Sequence, residues 1–351
     1  MAVTIYDVAK HAGVSPRTVS NVVNDHPFVA AQTRQRVQES LDFLGYRPNI
    51  MARNLRRGRT LMIAVAIPEL GVSYFSELCK AIIAEVSKRS YTVVVEQTEG
   101  DPKTELEVLE SCQRVHLVDG IIFNPLGVGL SDLSSAMGAT PVVLLGEVAG
   151  DGLFDHVSID NIAATREAID HLVSIGCERI AAIGDHAYET GETARLRTRG
   201  YREALRANGR AYDSNLVIPV SRFHRDAGKE AMNHLLALPD PPDGVFCYND
   251  LLAVGAIRAI LEHGLRVPED VAVMGFDDIE EGQYSTPTLS TISPDKAQIA
   301  SRAVAQLFSR IDGETGEPGD FTATYALKLR ESTLGVPSGQ PRQPARSSFR
   351  A

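Results

Sequence analysis

Residues 1–45 carry an apolar rhythm of helical period, and from residue 61 that rhythm gives way to alternating strand and helix. Ile5, Val8 and Ala9 share one face of a first predicted helix. Thr4 stands at its N-cap and Asp7 three residues on, an acid suited to the positive end of the helix dipole. Ala12-Gly13-Val14 reads as a tight turn. Ser15 caps a second helix with Pro16 at its first position, where the missing N–H costs nothing, and Val19, Val22 and Val23 face inward. A third helix is predicted from about Gln32 to Leu44, with Val37, Leu41 and Leu44 inward and Gly45 as its end. Pro48 stops continuation, and Asn49 can cap one more helix, too short to be stable alone in water.

Beyond residue 60, short apolar runs read as strands: Leu61–Ile67, Thr92–Val95, Gly120–Phe123, Val142–Leu145, Val157–Ile159, Ile180–Ile183, Val217–Pro219, Gly244–Cys247 and Val271–Gly275. Amphipathic helices are predicted at Ser76–Ser90, Asn161–Ile175, Thr193–Asn208, Arg225–Leu238 and Leu251–His263. Apolar strands alternating with helices imply parallel sheets covered on both faces. There are too many strands for one short doubly wound unit, so two α/β lobes are expected. The segment Leu289–Arg330, with a helix at Pro294–Ile311 and a strand at Thr324–Leu329, returns to complete both. The chain thus divides into an all-α head (1–45), a linker (46–60), an α/β core (61–333) and a tail (334–351). Within the core, one lobe takes about 61–158 and 291–319, the other about 159–289 and 320–333. The tail is rich in Pro, Ser, Gln and Arg, a composition that predicts disorder, and it has no leucine heptad to build a coiled coil.

Charge changes the picture. The 351 residues total −10, which taken alone argues against a nucleic-acid partner. Residues 1–60 hold nine Lys/Arg against four Asp/Glu, a net +5, so the remainder carries −15. A basic head on an acidic body is the electrostatic footprint of a phosphate-binding module. The four cysteines lie far apart without a C-x-x-C pair, which suggests neither a zinc site nor a disulfide framework and fits a reducing cytoplasm. The N-terminus lacks a signal-peptide pattern, and no apolar run approaches membrane-spanning length, so a cytoplasmic protein without a membrane partner is expected.

The segment from Ile5 to Asn24 is a helix-turn-helix: two helices packing through Val and Ala across a Gly-containing turn. Its second helix projects Ser15, Pro16, Arg17, Ser20 and Asn21 outward from its N-terminal half, suited to a major groove. Arg17 can bond guanine O6/N7 bidentately and Asn21 suits adenine, while Thr4, Tyr6 and Thr18 would hold phosphates. With these residues in place, the head resembles that of the lactose-repressor/galactose-repressor (LacI/GalR) family of bacterial transcription regulators. The linker from Pro48 to Gly58 resembles that family's hinge helix. The resemblance implies a homodimer on a palindromic double-stranded operator, with Asn49 starting the hinge and Ala52 and Leu55 entering the minor groove, Leu55 as a wedge.

The core resembles the family's effector domain, which is related to periplasmic sugar-binding proteins, and the likeness runs from residue 61 to about 333. By that match Arg197, within Arg195–Tyr201, points into the cleft between the lobes. Asn249 and Asp277 follow at strand ends, and Tyr74, Phe75 and Phe223 stand where relatives place aromatics against a ligand. An Arg fork with an Asp and an Asn satisfies vicinal hydroxyls or a heterocycle edge. Asp160 reads as a helix cap more than a ligand contact, and Gly146-Glu147 stands where some members carry a ligand-binding Asp. No G-x-S-x-G elbow, Walker loop or H-E-x-x-H is present, and Gly127-Val-Gly129 lacks the third glycine of a dinucleotide fingerprint. A small-molecule effector, a sugar or related metabolite, with no further cofactor, is therefore expected to set DNA affinity, with repression the default outcome. A solute-binding protein without a DNA role, or an α/β enzyme, is the rival reading; the DNA head speaks against the first and the missing catalytic constellation against the second.

Overall fold

The computed structural model describes residues 3–47, 59–114, 117–136, 138–148, 150–185 and 192–335, in two compact units, 1–60 and 61–351. The hinge expectations on Asn49, Ala52 and Leu55, and the tail from 336 onward, lie outside the described residues.

In the first unit, α1 (Ile5–Ala12), α2 (Pro16–Val23) and α3 (Ala31–Leu44) enclose Val8, Ala9, Ala12, Val19, Val22, Val37 and Leu41. Thr4 and Asp7 form a complete capping box, Ser15 accepts from Thr18 N, and Gly13 and Gly45 close α1 and α3 with left-handed φ of 61° and 63°. Ala30, at the N-cap of α3, offers no side-chain acceptor, as its methyl group must.

The second unit holds two six-stranded sheets. The first is formed by β1 (Met62–Ile67), β2 (Thr92–Gln97), β3 (Gly120–Phe123), β4 (Val142–Leu145), β5 (Asp155–Ile159) and β11 (Asp320–Ala323), in the order β11-β5-β4-β3-β1-β2. The second contains β6 (Ile180–Asp185), β7 (Val217–Pro219), β8 (Gly244–Cys247), β9 (Ala272–Phe276), β10 (Ser290–Pro294) and β12 (Tyr325–Lys328), in the order β12-β10-β9-β8-β6-β7. All pairings are parallel except β10 with β12, an antiparallel edge on a parallel sheet. The helices of the first lobe are α4 (Ser73–Ser87), α5 (Pro102–Arg114), α6 (Leu130–Ser135) and α12 (Lys296–Ile311). Those of the second are α7 (Asn161–Ser174), α8 (Glu192–Ala207), α9 (Arg225–Leu236), α10 (Asp250–Glu262), α11 (Glu280–Tyr284) and α13 (Glu331–Leu334). Among the described residues, no helix is long and apolar enough to cross a membrane.

The lobe boundaries differ from expectation at the returning segments. Residues 291–294 belong to β10 of the second sheet, not to the first lobe, and residues 320–323 form β11 of the first sheet, not part of the second lobe. The single strand expected at 324–329 is one of two, β11 and β12, separated at Thr324 and paired in different sheets. The chain therefore crosses between lobes at Asp160, Asp295 and Thr324. Asp160 and Asp295 cap the helices that follow, accepting from Ala163 N at 2.9 Å and Gln298 N at 2.8 Å, and Asp295 N donates to Thr324 O at 2.9 Å.

Candidate nucleic-acid interface and ligand cleft

On α2 the buried Val19 and Val22 fix which side faces inward. Arg17, Ser20, Asn21 and Asn24, spaced i, i+3, i+4 and i+7, therefore form one outer stripe. Asn24 Nδ2 donates to Ser20 O at 2.7 Å and lies 3.3 Å from its Oγ. Ser15 Oγ is paired with Thr18 Oγ1 at 2.9 Å, and Thr4 Oγ1 donates to Asp7 Oδ2 at 2.7 Å, so these three hydroxyls already hold helix starts together. Pro16 sets the first turn of α2. Tyr6 is exposed on α1, as are Thr4, Ser15 and Arg17.

The core unit contains a cleft of about 510 Å³ between its two sheets. Its lining includes the segments after β1, β2, β3 and β4 of one lobe and after β7, β8 and β9 of the other. These are carboxyl ends of parallel strands on both sides of each switch in strand order, where open α/β sheets bind ligands. Tyr74, Phe75, Arg197, Phe223, Asn249 and Asp277 all line this cleft. Asp160 does not; it serves as the cap of α7.

Arg197 is buried on α8 and fixed from three sides. Its Nε donates to Asn161 Oδ1 at 2.9 Å, Nη1 donates to the Tyr248 carbonyl, and its guanidinium lies 3.5 Å from the centroid of the Phe276 ring. Burial lowers its pKa, opposed by Asp277 and Glu147. The Tyr248 hydroxyl in turn pairs with Thr198 Oγ1 at 2.6 Å. This packing needs Gly184, whose φ is 130° and where a Cβ would stand 2.5 Å from Tyr248 Cβ.

Asp277 follows β9 with φ of 112°, a conformation L-residues rarely adopt. Burial pushes its carboxyl up to about 7; Arg197 and Lys296 pull it down, while Glu147 and Glu77 add to the rise. The turn is held from below. Asp278 accepts from Arg330 Nη2 at 2.6 Å and Ser293 Oγ at 2.8 Å, and its carbonyl accepts from Lys296 Nζ at 3.0 Å. Fully buried Asp250 accepts from Thr291 Oγ1 at 2.6 Å and Ile279 N at 2.9 Å, and burial raises its pKa well above the carboxylate range. Burial, aided by Asp277 and Glu147, also raises the Tyr74 phenol.

Asn249 turns out to be engaged by the protein. Its Oδ1 caps α10 by accepting from Leu252 N at 2.9 Å, and its Nδ2 donates to Phe223 O at 3.1 Å. Glu147 bridges the lobes, accepting from Asn161 Nδ2 at 2.9 Å and Thr193 Oγ1 at 2.7 Å. Gly146 beside it is held by His156, whose Nε2 donates to the Gly146 carbonyl at 2.7 Å. Other bonds across the cleft join His224 to Glu69 at 2.9 Å and Ser73 to Glu281 at 2.7 Å. Sequence reasoning missed Asn161 and Asp250. The first reads as an ordinary first helical residue; the second sits directly after Asn249, where a second carboxylate at a strand end was the available signal.

A capped helix-turn-helix and an α/β cleft in one chain define a ligand-responsive DNA-binding protein. The description "Bacterial regulatory proteins, lacI family" matches residues 4–49, and "Periplasmic binding protein-like domain" matches residues 169–333. The HTH-type transcriptional repressor PurR of Mannheimia succiniciproducens is 35% identical over 340 residues, 95% of this chain and 99% of its own. The lac repressor dimer bound to operator and the anti-inducer ONPF superposes with a TM-score of 0.83 at 28% identity, over 95% of this chain and 100% of that one. A CelR–cellobiose complex gives 0.70 at 31% identity, covering 94% and 99%. The chain belongs to the lacI family of bacterial regulatory proteins: a transcription regulator with a DNA-binding head and an effector-binding core.

Proposed function

We propose that this chain acts as a cytoplasmic homodimer that occupies a palindromic operator through α2, and that a small metabolite in the cleft changes its DNA affinity without being chemically converted. The observation that carries the reading is the pairing, in one chain, of the outer stripe of α2 with a cleft whose Asp277 carboxylate is buried at a strand end. An effector that binds one arrangement of the lobes better than another shifts the head's DNA affinity by the same coupling free energy. The lac repressor structure, a dimer on operator, supports the two-fold arrangement.

The test is selection of binding sites from random duplex DNA with the full-length protein. The expected product is a two-fold symmetric sequence with half-sites read by α2. Arg17→Ala should relax preference at one base position per half-site by about 1–3 kcal/mol. An asymmetric single site, or undiminished discrimination in the variant, would count against the reading.

A further inference from the structure

We propose that the cleft selects an amine-bearing polar metabolite, its ammonium group held between the Asp277 carboxylate and the aromatic wall of Tyr74, Phe75 and Phe223; this rests on the effector-binding reading above. The first observation is charge. Five carboxylates line the cleft, those of Glu69, Glu99, Glu147, Glu192 and Asp277, against the cationic or potentially cationic Arg197, Arg222 and His224. Each of those three is already engaged. Arg197 is held by Asn161, the Tyr248 carbonyl and the Phe276 face. His224 is bonded to Glu69, and Arg222 reaches Asp226 on α9 at 3.3 Å. The carboxylates are partly paired as well, Glu69 with His224 and Glu192 with Arg195, which leaves Glu99, Glu147 and Asp277 against Arg197; an anionic ligand would meet that excess of acid in a low-dielectric site, which amplifies the repulsion.

The second observation concerns Asp277. It is only 7% exposed, yet among the described residues its carboxylate receives no hydrogen bond and makes no ion pair. Such a group is costly to bury until a donor meets it. A hydroxyl satisfies its hydrogen bonding alone; an ammonium also offsets the cleft's negative charge. The third observation is the wall itself. Tyr74 and Phe75 meet edge to face at 5.4 Å between centroids, and Tyr74 already accepts a cation, with Lys296 Nζ 5.8 Å from its ring centroid. Phe223 lines the cleft from the other lobe. Aromatic faces beside carboxylates form the standard arrangement for recognising an ammonium ion.

The experiment screens full-length protein by calorimetry and thermal shift against a metabolite library balanced among amino sugars and other polar amines, their neutral counterparts, and phosphorylated or carboxylated analogues. The expected result is that hits concentrate among the amines, each at least about tenfold tighter than its neutral counterpart, with the preference lost in D277N. Hits that fall equally among neutral compounds, any tight binding by phosphorylated ones, a preference that survives D277N, or no hit among the amines overturns the proposal. A gel shift on the selected operator runs in parallel. Operator binding without amine hits sinks the ligand class alone, whereas loss of operator binding in the unmodified protein sinks the regulator reading.

Discussion

Asp277 joins three properties at one position: a φ of 112°, near-complete burial, and a carboxyl pushed up to about 7. Strain of this kind persists only where the surroundings over-determine it, and here Asp278, Arg330, Lys296 and Asp250 do so. The raised value has a stability consequence of definite sign. The folded state favours the protonated acid, so this contribution is full below about pH 4 and is lost as pH rises through about 7. Asp277→Asn keeps the side chain neutral and tolerates positive φ. Its core should gain stability at pH 8, on the order of a few kcal/mol, and its melting temperature should vary less between pH 4 and 7 than that of the parent. Parallel pH profiles for the two proteins would mean that Asp277 stays ionised throughout. Arg197 shows the complementary design: a cation kept buried because an amide, a carbonyl and a ring face replace its water.

At the scale of elements, the contact between α9 and α10 rests on two glycines. A Cβ on Gly255 would stand 2.0 Å from Arg225 O and 2.8 Å from Lys229 N, both backbone atoms, and one on Gly228 would stand 2.2 Å from Leu252 O. Gly255→Ala must therefore separate the helices and should cost about 1–3 kcal/mol or more, measurable by urea unfolding; an unchanged midpoint would show that the helices pack farther apart. Helical starts such as Thr4 and Ser15 were legible because capping chemistry is local. The alternation of strand and helix was legible for the same reason, since each period is written within a few residues. Strand partnership was not. The strand expected at 324–329 corresponds to β12, and β11 at 320–323 was not foreseen because nothing local marks it; its partner β5 lies more than a hundred residues away in sequence, whereas β12 pairs with β10. In the cleft, the positions of Arg197, Tyr74, Phe75, Phe223 and Asp277 were legible through motif resemblance. The bond from Asn249 Nδ2 to Phe223 O and the bridging by Glu147 were not, because those partners lie in other elements far along the chain.

Across the whole molecule, function is divided by charge. The head, 1–60, carries +5 and the remainder −15, on two units each with its own apolar core. Net charge favours the approach of phosphates to the head and disfavours their approach to the remainder. The core has the matching division of labour. Its two lobes are joined by three crossings, at Asp160, Asp295 and Thr324, and β1, the first strand after the head and linker, belongs to the first sheet. The charge division gives a prediction that does not depend on knowing operator or effector. Binding to random duplex DNA should weaken by about 10³-fold or more between 50 and 200 mM salt if two heads together neutralise six or more phosphates. A chain lacking residues 1–60 should bind no DNA at any salt concentration, and Arg17→Ala should leave most of the salt slope in place, since the other basic residues of the head remain. Retention of DNA by the headless chain, or an affinity changing less than tenfold over that range, would assign phosphate binding to the acidic core or to uncharged groups and remove the head from its role.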